Sequence, residues 1–200
     1  MTLPELNNKL EQTSRDIQSG IGEMIVELGT EALTLIKKRV QETGKNAEGN
    51  DFPPYSQKSM LVGCKSMNAD VCKSFFGKEK NKQLSWVTLD RTNNQGKKIR
   101  LAVLEGGYKK FRGLHGRQTN FVDFSFTNDM WNDIKIISKK TEHNTGTVVI
   151  GAEKEEEKKK LEGNTKRKGT ILDLSDSEIE TLKQDFKLKT LYIIKNHGIE

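Results

Sequence analysis

Apolar residues recur at Leu3, Leu10, Ile17 and Met24, with a second row at Ile21, Leu28 and Leu35, and the two rows form a single stripe at helical spacing. Ile25, Ala32, Ile36 and Val40 widen the stripe beyond Ile21. The second half of this segment therefore reads as core-facing. The first half, Leu3 to Asp16, keeps only a narrow seam suited to packing on a neighbour. A continuous helix from Pro4 to Thr43 would reach roughly 60 Å at about 1.5 Å per residue, longer than a small domain is wide. Gly20, Gly22 and Gly29 argue against continuity, since each costs about 1 kcal/mol relative to alanine and the first two invite a kink or break. Gly44 is placed to end the helix, and 46–54 (NAEGNDFPP) is loop by its turn chemistry.

From Leu84 the period shifts toward two. The runs 84–89 and 99–103, on either side of a turn-rich 91–96, predict an antiparallel hairpin. Phe121, Asp123, Phe124 and Phe126 suggest a further strand. Ile134 to Ser138 and Thr147 to Ile150 flank His143-Asn144-Thr145-Gly146, a second hairpin connection. One sheet of about four to five strands is expected. Between the hairpins and the helix lies 55–82, where a short helix over Ala69 to Phe76 is the only element suggested. Ser175-Asp176-Ser177-Glu178 has the form of a capping box, so a helix begins there, with Ile179, Leu182 and Phe186 as its buried face. Leu188 to Ile194 is an apolar tail compatible with strand or helix. The fold expected is α+β: a long N-terminal helix packed on an antiparallel sheet, with a capped C-terminal helix. The chain reads as one domain over 1–200, with 1–20 a protruding helical arm and 153–168 a charged, exposed segment.

Charge and composition narrow the function classes. There are 34 Lys and Arg against 28 Asp and Glu, a net charge of +6, and that moderate excess attracts anions without specifying nucleic acid. Within EKEEEKKK (153–160), Glu155 precedes Lys159 and Glu156 precedes Lys160 by four residues, the pattern of a charged turn or short helix. The chain holds two cysteines, Cys64 and Cys72, with no histidine at zinc spacing and no signal-peptide pattern, and they read as free thiols in a soluble protein made inside the cell. No apolar run is long enough to span a membrane.

His115, His143 and His197 lie far apart, and the nucleophile-elbow, phosphate-loop and dinucleotide-loop motifs are all missing, so no catalytic residue, cofactor or metal is expected. Asp123, Asp129 and Asp133 are the nearest approach to a Mg²⁺ set and read instead as solvated or capping residues. The stretch with the most unusual composition is 106–117 (GGYKKFRGLHGR). Its candidate partner contacts are Tyr108, Lys109, Lys110, Phe111, Arg112, His115 and Arg117, because arginine forks onto carboxylate or phosphate and tyrosine stacks. The competing reading is a long loop whose aromatics pin it to the sheet while its basic residues face water.

Several segments together resemble the phage virion-morphogenesis and tail-completion family, the neck proteins of tailed bacteriophages. A long N-terminal helix leads into Gly49-Asn50-Asp51-Phe52-Pro53-Pro54-Tyr55-Ser56, similar to that family's glycine, aromatic, proline and serine loop. Gly107-Tyr108-Lys109-Lys110-Phe111-Arg112, then Gly116-Arg117-Gln118-Thr119, resemble its Gly-Tyr, Arg and Gly-Arg segments. Val122-Asp123-Phe124 and Asn128-Asp129-Met130-Trp131 look like the strand and turn that follow, and Glu162-Gly163-Asn164 with Leu174-Ser175 resemble its ending. The 84–103 hairpin and the 64–76 segment depart from the compact members.

The resemblance implies a structural, non-enzymatic virion protein, synthesised in the host cytoplasm. It would form a ring, hexameric by analogy, that joins head to tail. Its implied partners are further copies of itself, the adjacent head-connector and tail-terminator or tail-tube proteins, and viral DNA passing without sequence specificity. The alternative is a basic nucleic-acid-binding module using Lys109, Lys110, Arg112, Arg117 and the run Lys166-Arg167-Lys168.

Overall fold

The computed structural model describes residues 2–63, 85–92, 96, 98–142 and 145–196, with the backbone alone described at 85–91 and 98–100. Cys64, Cys72, the 69–76 helix, His143 and His197 lie outside the described residues. The fold is α+β, with helices α1 (Leu3–Thr43), α2 (Gly107–Leu114), α3 (Asp129–Asp133), α4 (Glu155–Lys168) and α5 (Asp176–Asn196). The strands are β1 (Met60–Val62), β2 (Ser85–Thr92), β3 (Lys98–Leu104), β4 (Ile134–Glu142) and β5 (Thr145–Ala152). The sequence reads as one domain over 1–200, whereas by packing the chain divides into two compact units, 1–52 with 123–200, and 53–122.

The first unit is organised around α1, which runs unbroken for 41 residues. The break expected at its glycines does not occur, and their missing side chains are used for packing. A Cβ on Gly29 would lie 2.8 Å from Val148 Cγ2 and 3.1 Å from Ile136 Cδ1, and one on Gly22 would lie 3.4 Å from Thr141 Oγ1. Reciprocally, a Cβ on Gly146 would meet Ile25 at 3.0 Å. The helix therefore seats closely on the antiparallel β4–β5 hairpin, and the contacts recover what the glycines lose in helix propensity. Gly44, left-handed at φ 67°, closes α1 through its N–H to the Val40 carbonyl, and the Phe52 N–H returns to the Gly44 carbonyl.

Beyond the hairpin, Asp133 is buried and its Oδ2 accepts the N–H groups of Glu153 and Lys154 at 2.8 and 2.7 Å, fixing the start of α4. The EKEEEKKK block is helical from Glu155 on, and within it Glu155 pairs with Lys158 and Glu157 with Lys160, three residues apart and not four as expected. Glu157 is buried, an exception to the exposed face expected of this segment. The core of this unit is Met24, Ala32, Ile36, Val40, Phe52, Met130, Trp131, Ile134, Ala152 and Ile171.

The expected strand at Phe121 to Phe126 is absent. Phe124 takes φ 54° and Asn128 φ 66°, and the Asp123 carboxylate accepts the Ser125 N–H at 2.9 Å, so the backbone turns where a strand would stay extended. Phe124 instead packs edge-on against Phe52 with centroids 5.0 Å apart, and the Trp131 indole N–H donates to the Asp123 carbonyl at 2.9 Å.

The predicted single sheet of four to five strands is two sheets: β4–β5 in the first unit and, in the second, three antiparallel strands in the order β1-β3-β2. The second unit buries Tyr55, Val62, Ala102, Leu104, Phe111 and Val122. No helix among the described residues is long and apolar enough to cross a membrane.

Candidate assembly surfaces

The segment singled out in the sequence is a helix, α2, and not a long loop. Gly106 and Gly107 enter it at φ 83° and 57°. A Cβ on Gly107 would collide with the backbone carbonyls of Lys58 and Ser56, so only glycine lets 56–58 lie against the helix start. The Ser56 carbonyl accepts the Lys109 N–H at 3.0 Å. The Tyr55 ring packs edge-on against Tyr108 at 5.5 Å, and Tyr108 stacks on Phe111 at 6.1 Å. Two segments more than fifty residues apart are thereby locked together.

Arg112 lies at the centre of this cluster, only 1% exposed. Its guanidinium carbon is 4.4 Å from the Tyr55 ring centre and its Nε donates to the Gln118 carbonyl at 3.1 Å. Gln118 holds the following turn: its Oε1 accepts the N–H groups of Asn120 and Phe121, and its amide donates to the Phe121 carbonyl at 2.7 Å. Arg112 and Phe111 are thus buried structural residues, which corrects the expectation that they present themselves to a partner. His115 is half-buried, its ring 4.4 Å from Phe111 and its Nδ1 2.8 Å from the Phe111 carbonyl. Tyr108 and Lys109 are half-buried, and Lys110 and Arg117 are exposed. Of the seven candidate contacts, the two exposed ones are therefore both cations.

The other basic run, Lys166-Arg167-Lys168, ends α4 in the first unit. Arg167 is occupied with the Gly163 carbonyl at 2.9 Å and Asn164 Oδ1 at 3.2 Å, and burial, then the neighbouring Arg167, holds the Lys168 ammonium below its ordinary pKa. Asp123 and Asp133 spend their carboxylates on backbone N–H groups. Among the described residues no group of three or more His, Cys, Asp or Glu side chains is placed to hold a metal ion.

A second surface, which the sequence shows only in part as the Leu3 to Asp16 seam and the apolar Leu188 to Ile194 tail, lies on the antiparallel pair α1 and α5. Ser175 and Glu178 form the expected capping box, with reciprocal bonds of 2.8 and 3.3 Å. Glu178 also receives Arg39 Nε at 2.9 Å. Further along, Lys189 joins Glu27 at 2.7 Å and Asp185 at 3.0 Å, and these bonds raise its pKa. Burial and the adjacent Asp185 carboxylate push Glu31 above its ordinary range.

The face expected to bury Ile179 and Phe186 leaves them 36% and 40% exposed. Leu188, Leu191 and Tyr192 are 63%, 40% and 68% exposed. A groove of about 440 Å³ lies between Leu10, Thr13, Ile17, Ile21 and Ile194, and another of about 560 Å³ between Gly20, Met24, Leu188, Tyr192 and Ile193. The signal for this surface was present in the sequence: Leu188, Leu191, Tyr192, Ile193 and Ile194 leave the last turns of α5 apolar on nearly all sides, more than one contact with α1 can cover.

No family model matches this chain, and no curated protein and no solved structure matches it either.

Proposed function

We propose that this chain is a structural assembly protein of a tailed bacteriophage, a ring-forming neck or tail-completion component that joins head to tail around the DNA channel. The observation that carries the reading is the apolar surface a single copy leaves open on its two longest helices, from Leu3 and Leu10, 73% and 48% exposed, to Leu188 and Tyr192. Contiguous apolar surface on helices is a mark of a partner-binding protein. The family resemblance supplies the kind of assembly. The loop ending in Pro54-Tyr55-Ser56 and the Gly107–Arg112 and Gln118 segments meet in one cluster.

The test is electron microscopy of the purified chain and of virions carrying a tagged copy. Rings in the one and label at the neck in the other support the reading. Label elsewhere on the virion, or absence from it, overturns it. Salt-sensitive binding to short duplex DNA, falling steeply between low and moderate salt, favours the nucleic-acid module instead.

A further inference from the structure

The β4–β5 sheet has two outer edges, and they are built differently. β4 carries Lys135, Lys139, Lys140 and Glu142, all exposed, and the extra residue that breaks the register between Ile136 and Ser138 lies in it. Charges and a bulge are the devices that keep a strand edge from pairing with another chain. β5 (TGTVVIGA) has neither: it is uncharged and regular, and Thr145, Thr147, Val148, Val149 and Ile150 are β-branched. Among the described residues the backbone of β5 bonds only to β4, so the N–H and C=O groups on its far edge are open. Val148 packs toward Gly29 of α1, which turns Thr147 and Val149 to the opposite face, where both are exposed. Gly151 and Ala152 are buried, so the open edge is 145–150, ~20 Å of strand.

We propose that the open edge of β5 pairs antiparallel with β5 of a second copy, giving one sheet in the order β4-β5-β5-β4. A strand that adds here must be extended, regular and free of charge, and β5 itself meets those terms, whereas β1 is only three residues long and β4 is guarded. Pairing β5 with itself opposes no like charges, while pairing β4 with itself would bring Lys139 and Lys140 against their own copies. A two-fold axis perpendicular to the sheet at Val148 keeps the residues that face α1 on one side, and it sets Thr147 opposite the partner's Val149 and Gly146 opposite the partner's Ile150. The contact is isologous and uses up both open edges. Both outer edges of the joined sheet are then β4, whose charges and bulge stop growth at two copies. This pairing uses neither the α1–α5 surface nor the virion assignment.

Amide hydrogen exchange and sedimentation velocity of the full chain, from low to high micromolar concentration, test it, with circular dichroism to confirm folding. Wild type is expected to associate as concentration rises, and exchange over 145–150 should slow with it by at least about fivefold. Thr147→Lys and Thr147→Glu, at an exposed position, should each fold and each lose that slowing, because like charges then meet across the two-fold. An equimolar mixture of the two variants should regain it.

A wild type that stays monomeric overturns the proposal. Association that leaves exchange over 145–150 unchanged overturns it too, because the copies then meet on another surface. Failure of the mixture to regain the slowing overturns the two-fold pairing of β5. Neck location is read separately by microscopy and stands or falls without these outcomes.

Discussion

The Arg112 guanidinium carbon lies 4.4 Å from the centre of the Tyr55 ring, and that stacking ties the loop before β1 to the helix after β3. Arginine is long enough to bridge the two segments, planar enough to lie on the ring, and able to donate to the Gln118 carbonyl from the same position. Arg112→Ala removes both contacts from a buried site and is expected to destabilise the chain by about 2 to 4 kcal/mol. Arg112→Lys should recover little of this, since an ammonium neither stacks nor forks. Lys110→Ala, at an exposed position, should stay within about 0.5 kcal/mol of wild type. Urea unfolding of the three variants checks the order.

Packing at the glycines of α1 gives a prediction whose sign depends on position. Alanine gains about 1 kcal/mol of helix propensity over glycine. At Gly20, where the nearest atom to a new Cβ is Ile193 Cδ1 at 3.9 Å, that gain should be realised. At Gly29, where Val148 Cγ2 would stand 2.8 Å away, overpacking of about 1 to 3 kcal/mol should reverse it. Adding Val148→Ala to Gly29→Ala should return part of the loss, a coupling that a thermal-melt double-mutant cycle measures directly.

These glycines also mark how far the sequence was legible. The stripe from Leu3 to Val40 announces α1, alternation announces β2, β3 and the β4–β5 hairpin, and Ser175 with Glu178 announces the start of α5, because each signal is local and written in period or cap chemistry. Gly29 reads as a weak point in the sequence because nothing in a single sequence says that Val148 will lie against it. Arg112 reads as a contact for the same reason: basic residues among aromatics look alike whether the guanidinium faces water or turns inward onto Tyr55, and only the fold brings Tyr55 there. Phe124 misled because a run of aromatics resembles a strand, while a positive φ supported by the Asp123 carboxylate leaves no periodic trace.

The start of α5 is held by two different kinds of contact, and they should separate experimentally. Ser175→Ala loses a cap bond to the Glu178 N–H and should cost about 1 kcal/mol. Glu178→Ala loses the reciprocal cap bond to the Ser175 N–H and also leaves Arg39, whose side chain is 13% exposed, without its carboxylate at 2.9 Å. Removing one partner of a nearly buried ion pair is expected to cost about 3 to 5 kcal/mol. Denaturant midpoints for both variants, with Arg39→Ala as a third, should show Glu178→Ala as the more damaging of the first two. Equal effects would mean that the pair contributes nothing beyond the cap.

Acid should act on the α1–α5 junction with a definite sign. Burial, and then the adjacent Asp185 carboxylate with its hydrogen bond, raise Glu31 above the ordinary carboxylate range, so the folded chain holds this proton more tightly than the unfolded one. A group raised in the folded state contributes stability that is fully present below its unfolded pKa and lost as pH rises through the folded value. At neutral pH the ionised Glu31 therefore opposes docking of α5, and acidification through the raised range relieves that opposition. Glu31→Gln should stabilise the chain at pH 7 by no more than about 0.5 kcal/mol, since solvent screens a partly exposed carboxylate. The same variant should lose most of its advantage below the ordinary carboxylate range, where wild-type Glu31 is itself protonated. Parallel thermal melts of the wild type and Glu31→Gln from neutral pH to below the ordinary carboxylate range read this as converging curves. Curves that stay parallel would show that burial and the Asp185 carboxylate do not raise Glu31 in the folded chain.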